Sequence, residues 1–223
     1  MSRNLLFLLT LVWLPTALCM GQRKLSISAT VTPTLSHTNY IHRYYYPNSD
    51  GQIVEPVYVN GIRWATGYSA GVSVLYEYVP GWSVSSGIMF QQLTTRQARP
   101  TTAGDGTTSI HNRAIRVPLL LNYASSTKPL SPYFSFGLLT DVPLPSRVVV
   151  NRTGQSTQYL KLETSTRPIL HLLLGVGGQY QINKRYTVMA QPIWTYKFGQ
   201  LGGASAYNSS FEVSLLTQLA YTF

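Results

Sequence analysis

Phe211-Glu-Val-Ser-Leu-Leu-Thr-Gln-Leu-Ala-Tyr-Thr-Phe223 is the stretch that decides the fold. Phe211, Val213, Leu215, Thr217, Leu219, Tyr221 and Phe223 share one parity, and Glu212, Ser214, Gln218, Ala220 and Thr222 share the other. A repeat of two belongs to a strand whose faces meet unlike surroundings. Working back toward the N-terminus, the pattern recurs seven times. Segments fall at Leu25 to about His37, Ile62–Tyr78, Trp82–Gln91, Ile115–Ala124, Tyr133–Thr140, Leu170–Tyr180 and Tyr186–Phe198. Their connections alternate in length. Val79-Pro80-Gly81, Ser125 to Pro132 and Ile182 to Arg185 are short turns, whereas 39–61, 92–112 and 141–166 are long and polar, and 199–207 is a shorter loop on the long-loop side.

Composition limits which water-excluding surface these strands face. Of 223 residues only 11% are charged, with 17 Lys+Arg against 7 Asp+Glu, and 12% are aromatic, including 16 Tyr. Soluble domains carry about 25% charged residues, and disorder needs high charge with low hydrophobicity. Residues 1–21 read as a secretory signal peptide, with Arg3, an apolar run from Leu5 to Leu14, Pro15 and small residues at Cys19 and Gly21 that suit cleavage before Gln22, cleavage one to three residues earlier being the competing choice. Acylation at Cys19 is disfavoured by the bulky Leu18 before it. Residues 22–223 form one domain without cysteine, which rules out a disulfide, a thiol nucleophile or a cysteine-ligated zinc in it. That domain has no run of 18 apolar residues, so no helix of it crosses a membrane.

An even set of strands with long connections at one end and tight turns at the other is the layout of an all-β, eight-stranded antiparallel up-and-down transmembrane barrel. Aromatic residues give an independent reading, because rings with a polar tip gather at the two headgroup levels. Tyr76, Tyr78, Trp82, Tyr123, Tyr133, Tyr180, Tyr186, Tyr221 and Phe223 fall beside the short turns or the C-terminus. Trp64, Phe90, Trp194, Tyr196, Phe198 and Phe211 fall at the opposite strand ends. A soluble lipocalin-like barrel is the competing architecture. It would exchange the faces, with Leu119, Val213 and Leu215 inside and Arg116 and Glu212 outside.

Four stretches resemble the PorT-like outer-membrane β-barrel proteins of Gram-negative bacteria. They are Arg116-Val-Pro-Leu-Leu-Leu, Pro132-Tyr-Phe-Ser-Phe-Gly, Gly175-Val-Gly-Gly with Tyr180, and Leu219-Ala-Tyr-Thr-Phe223. The resemblance implies residence in the outer membrane. It also implies that Phe223 with Tyr221 forms the signal read by the barrel-assembly machinery, and it allows an accessory role in protein secretion across that membrane.

Eight strands enclose a space that side chains can fill, whereas aqueous channels take about 16–18. Parity sends Arg63, Arg116, Arg167, His171, Lys197, Glu212 and Glu77 inward, with Glu77 near the turn end and the others toward the outer mouth. Two accounts of this cluster are open. In the preferred one Glu212 pairs with a neighbouring cation among Ser, Gly and Gln, since buried charge needs a partner. In the other the mouth holds an anionic ligand such as a phosphate or sugar acid.

The net charge of +10, or +9 without the leader, is dispersed with no basic stripe, so nucleic acid is not expected as a partner. Loop cations Arg43, Arg96, Arg99, Arg113, Arg147, Arg152 and Lys161 are instead candidates for lipopolysaccharide phosphates. No cofactor, metal site or catalytic constellation is expected. Four His and seven acids are scattered without ligand spacing, and Ser36 and His37 point to opposite faces of one strand. The expected role is a structural or interaction protein at the cell surface, with long loops such as Tyr44-Tyr-Tyr-Pro and the stretch from Arg147 to Lys161 meeting membrane lipids, lipopolysaccharide or extracellular proteins. An accessory secretion component is the alternative, and a lipid-modifying enzyme carries less weight.

Overall fold

The computed structural model describes residues 24–45, 57–98, 106–126, 128–154, 156–162, 167–200 and 207–223. The leader, residues 1–21, lies outside them, as do Arg99 and the side chain of Arg43. The described chain forms nine antiparallel strands: β1 (Lys24–Tyr45), β2 (Val57–Val79), β3 (Trp82–Ala98), β4 (Gly106–Ala124), β5 (Leu130–Arg152), β6 (Gln158–Leu162), β7 (Ile169–Gln181), β8 (Tyr186–Gln200) and β9 (Tyr207–Thr222). Their order is β4-β3-β2-β1-β9-β8-β7-β5-β6, and a β4–β5 ladder closes the ring. Eight strands therefore make the barrel. The ninth, β6, is a short addition to the outer end of β5, pairing Val148 with Leu160. Closure leaves the eight staves without a free sheet edge.

The ladders run beyond the alternating segments. β1 still pairs with β2 at Tyr45↔Val57, and β3 with β4 at Ala98↔Thr107. Much of 39–61, 92–112 and 141–166, expected as loop, is thus strand, and the stretch from Arg147 to Lys161 is a β-hairpin. On β3 and β4, Thr, Ser and Asn on both faces hide these extensions, and on β5 Val148–Val150 is apolar on both faces, so in each case the period of two disappears.

At the other end Val79-Pro80-Gly81-Trp82 turns tightly. Gly81 takes φ 82°, a conformation open to glycine, and its carbonyl accepts the N–H of Ala124 at 2.8 Å.

The faces are arranged inside out relative to a soluble barrel. Leu25, Ile27, Val31 and Leu35 are exposed on the outside of β1, while Ser26, Ser28, Thr30, Thr32, Thr34 and Ser36 are buried inside. On β9, Val213, Leu215 and Leu219 face out and Glu212 and Ser214 face in. The lipocalin-like alternative is the reverse of this. An apolar outer band over a polar interior is the arrangement that hydrocarbon surroundings select.

The interior differs from the expected filling of Ser, Gly and Gln in one respect. Leu120, Leu173, Ile193 and Leu216 point inward and pack together as an apolar layer. Three of them lie in Leu-Leu runs, Leu119–Leu121, Leu172–Leu174 and Leu215–Leu216, where apolar residues on both faces erase the parity signal.

Candidate functional site

The lumen is the candidate site, and it is built in layers. Nearest the turns, Tyr133, Met189 and Ala220 pack together. They help to line a cavity of about 160 Å³ at the turn end, with Lys24, Lys128, Lys184 and Glu77 around it. Glu77 is half-buried there and accepts the backbone N–H of Gly81 at 3.1 Å.

Tyr133, expected among the membrane-interface aromatics, is 3% exposed and inside. Its parity partners are Ser131 and Ser135, both buried. Ring type suggested an interface position; alternation, with Phe134 and Phe136 outside, fixes the inner one. The next layer is polar. Asn122 Nδ2 donates to Ser85 Oγ (2.9 Å), Ser135 Oγ donates to Asn122 Oδ1 (2.7 Å), and Gln191 Nε2 donates to Ser135 Oγ (3.1 Å).

Above the apolar layer lies an ionic network. Arg116, 2% exposed, donates Nε to Asp141 Oδ1 and Nη2 to Asp141 Oδ2, each at 2.8 Å. The same Nη2 donates to Glu212 Oε2 at 2.9 Å and to Gln91 Oε1 at 3.0 Å. Gln91 Nε2 in turn reaches Glu212 Oε2 at 3.3 Å, and fully buried His171 places Nε2 3.0 Å from Asp141 Oδ2. Four strands thus contribute to one hydrogen-bonded cluster, and a fifth, β7, brings His171 to salt-bridge distance of Asp141.

Of the six residues expected in the lumen charge cluster, Arg116, His171 and Glu212 are brought together. Lys197 is half-buried on the same inner face, in register with His171. Arg63 is half-buried opposite Thr38, higher on β2. Arg167 is exposed just before β7, because Pro168 separates it from the strand whose parity would have turned it inward. Sequence reasoning missed Asp141, the bidentate partner of Arg116. It follows Thr140 where alternation ends in Val-Pro-Leu-Pro, so the sequence alone reads there as the start of a loop; its signal is the register Arg116↔Asp141.

Between the ionic and apolar layers the remaining cavity is about 20 Å³, enough for about one water-sized probe. At that level the lumen is filled, and among the described residues no group of three His, Cys, Asp or Glu stands where it could hold a metal.

Outside, nine of the ten expected interface residues point away from the lumen. Trp64, Tyr78, Trp82, Tyr123, Tyr180, Tyr186 and Trp194 are exposed, and Tyr76 and Tyr221 half-buried on the same face. Rings pair across strands, Trp82 with Tyr123 (4.7 Å between centroids) and Tyr186 with Tyr221 (5.3 Å), and Tyr221 meets Phe223 two residues further along its own chain (5.2 Å). At the other level His37 lies between Trp64 (4.6 Å) and Phe211 (4.7 Å). Ten residues separate Tyr221 from Phe211 on β9 and Tyr186 from Tyr196 on β8. That matches the roughly 9–11 residues a tilted strand needs to cross a bilayer core. No membrane-crossing helix occurs among the described residues.

No known family profile and no curated protein matches the chain. Among solved structures it is similar to Neisserial surface protein A, at 12% identity over 89% of this chain and 97% of that one, TM-score 0.44. It is also similar to Ail, the attachment invasion locus protein of Yersinia pestis, at 12% identity over 91% and 100%, TM-score 0.39. A third is the N-terminal β-barrel domain of Pseudomonas aeruginosa OprF, at 13% identity over 92% and 100%, TM-score 0.38.

Proposed function

We propose that this chain is an integral outer-membrane barrel that serves as a structural and interaction protein at the cell surface, with a closed lumen and no enzymatic activity. The observation that carries the reading is the pairing of an apolar exterior with an interior closed by Arg116, Asp141 and Glu212 above a Leu/Ile layer. Such a body has no solute path, so what it does is done at its surfaces. The stacked His37, held between Trp64 and Phe211, supports the non-enzymatic reading, as a ring clamped in this way serves the interface.

The surrounding lipid and the barrel-assembly machinery are its first partners. Phe223, exposed at the C-terminus with its N–H on the Leu25 carbonyl (3.1 Å), supports reading the end of β9 as the assembly signal. Membrane fractionation is the test. The protein should be recovered with the outer membrane, need detergent for extraction, and run compactly on an unheated gel; release with the soluble periplasm overturns the reading.

A second reading, an accessory part of a secretion machine, draws on the PorT-like motifs and on the 160 Å³ cavity, which offers a lysine-rimmed surface on the turn side. Deleting the protein and measuring secreted proteins separates the two: an unchanged secretome removes the second.

A further inference from the structure

On the outer face, above the upper aromatic level, four neighbouring strands carry cations in one row. Thr94 of β3 is opposite His111 of β4, His111 is opposite Arg147 of β5, and Arg147 is opposite Lys161 of β6. Arg96 lies two residues beyond Thr94 on the same face, and Arg113 two residues below His111. Arg96, Arg147 and Lys161 are exposed, and His111 and Arg113 half-buried. Side chains directly opposite across a ladder have Cβ atoms about 4.5–5.5 Å apart, and diagonal ones about 7–8 Å. Four permanent cations therefore form one row about 14 Å long, three strand spacings of about 4.8 Å from β3 to β6, in which only Arg147 and Lys161 are directly opposite.

The row opposes its own charge. Arg147 directly faces Lys161, a pairing that destabilises a sheet. Acids do not relieve it among the described residues: Asp141 and Glu212 are inside the lumen and Glu77 is at the turn end. The imidazole of His111 registers the same field. Its pKa is held below the ordinary 6.5, first by burial and then by Arg147, Arg96 and Arg113. Two contacts hold the patch in shape: Thr94 Oγ1 meets His111 Nδ1 at 2.9 Å, and Arg113 Nη2 donates to the Pro145 carbonyl at 2.7 Å.

The position says what anion it meets. Phe90, Ile115 and Val142 are aligned across β3, β4 and β5 at the upper edge of the apolar band. Arg113 is two residues beyond Ile115, Arg147 five beyond Val142 and Arg96 six beyond Phe90. At about 3.3 Å per residue along a strand tilted by about 35–45°, Arg113 stands about 5 Å and Arg147 and Arg96 about 10–15 Å above that edge, from the headgroup level outward, and all face sideways, toward the surrounding lipid.

We propose that Arg96, Arg113, Arg147 and Lys161, on the outer face of β3–β6, form a binding site for the phosphate groups of the glycolipid in the surrounding outer leaflet. The site rests on the outer-membrane reading above and deepens it, by naming which loop-side cations act together. Bound phosphates bridge the opposed cations and remove the repulsion between Arg147 and Lys161. Arginine offers them paired N–H donors, lysine a point charge.

The test is binding of diphosphorylated lipid A to the full chain in detergent micelles, followed by native mass spectrometry. Each cation near an anionic surface contributes about fivefold in affinity, so Arg113→Gln/Arg147→Gln should bind about 25-fold more weakly. Arg96→Gln/Lys161→Gln, which leaves the Arg113–Pro145 contact intact, should lose a similar factor. Lys24→Gln/Lys184→Gln at the turn end should bind as the parent does. The parent should retain lipid A stripped of phosphate far less, and inorganic phosphate at millimolar concentration should not displace the lipid. The proposal is overturned if the parent fails to bind, if both patch variants bind as it does, if phosphate-free lipid A binds equally, or if inorganic phosphate displaces the lipid. Fractionation and unheated gel mobility of the same preparations keep the two ideas apart: recovery in the outer membrane with unaltered binding by the patch variants overturns only the phosphate site, whereas recovery in the periplasm overturns the membrane reading itself.

Discussion

Arg116 and Glu212 meet at 2.9 Å across the full diameter of the barrel. They belong to β4 and β9, which stand four staves apart in a ring of eight and so face each other. The pair is a cross-brace, and with Asp141 bidentate on the same guanidinium it joins opposite walls that share no ladder.

Removing the brace should be costly. Breaking a buried ion pair by removing one partner costs about 3–5 kcal/mol, so Arg116→Met, which leaves Asp141 and Glu212 facing each other, should lower the unfolding free energy of the barrel, read by urea titration in lipid vesicles, by that much. The triple variant Arg116→Met/Asp141→Asn/Glu212→Gln should recover part of the loss. A single variant as stable as the parent would mean the network contributes nothing.

Two layers close the lumen, so either alone should suffice. In planar bilayers the parent should show no stable conductance steps, and neither should Arg116→Ala/Glu212→Ala, because Leu120, Leu173, Ile193 and Leu216 still fill the cross-section. Adding Leu173→Ala and Leu216→Ala to that pair should open a small conductance. Steps from the parent would contradict the packed interior.

Charge on the outer face should be tolerated by depth. Leu215, four residues from Phe211 and six from Tyr221, sits mid-band and is 46% exposed; Leu215→Arg should cost about 2–4 kcal/mol. Leu25→Arg, at the turn-side boundary beside Tyr76, should cost about 0–1 kcal/mol. Equal costs in vesicle unfolding would speak against a hydrocarbon exterior.

His111 should titrate below the ordinary 6.5. A depressed pKa means that the neutral ring is the native form near neutrality and that acidification adds a charge to an already cationic row. The contribution to stability is present above the ordinary pKa of the unfolded chain and is lost as the pH falls from there through the lower folded-state value. Arg147→Gln removes the largest of the repelling charges and should raise the midpoint, read from the imidazole resonance by NMR. A midpoint that stays put would mean the row does not act on His111.

Deleting Phe223 should reduce the fraction of protein that reaches the compact, heat-modifiable form in cells severalfold, while refolding into detergent from urea is unchanged. Equal loss in both assays would make the residue a packing element instead of an assembly signal.

How much of this was legible follows from where alternation survives. Leu25–Ser36 alternates throughout and Phe211–Phe223 does so outside Leu215–Gln218, and their faces, including inward Glu212, are readable from sequence. Arg116 and His171 are readable because apolar residues flank them. The method fails where both faces are alike. Leu119–Leu121 conceals Leu120, the polar outer ladders conceal their own length, and Val142-Pro-Leu-Pro145 conceals Asp141. Tyr133 and Arg167 were misplaced for different reasons: the first was judged by ring type over parity, and the second lies beyond Pro168, outside its strand. The basic row on β3–β6 has no trace in sequence order, since Arg96, Arg113, Arg147 and Lys161 become neighbours only through the register.

The strands do not stop at the lipid. β5 continues ten residues from Val142, at the edge of the apolar band, to Arg152, roughly 33 Å of chain at 3.3 Å per residue. The barrel therefore continues past the apolar band as a stiff collar of paired strands, and a partner approaching from that side would meet the rim of the collar before its flank.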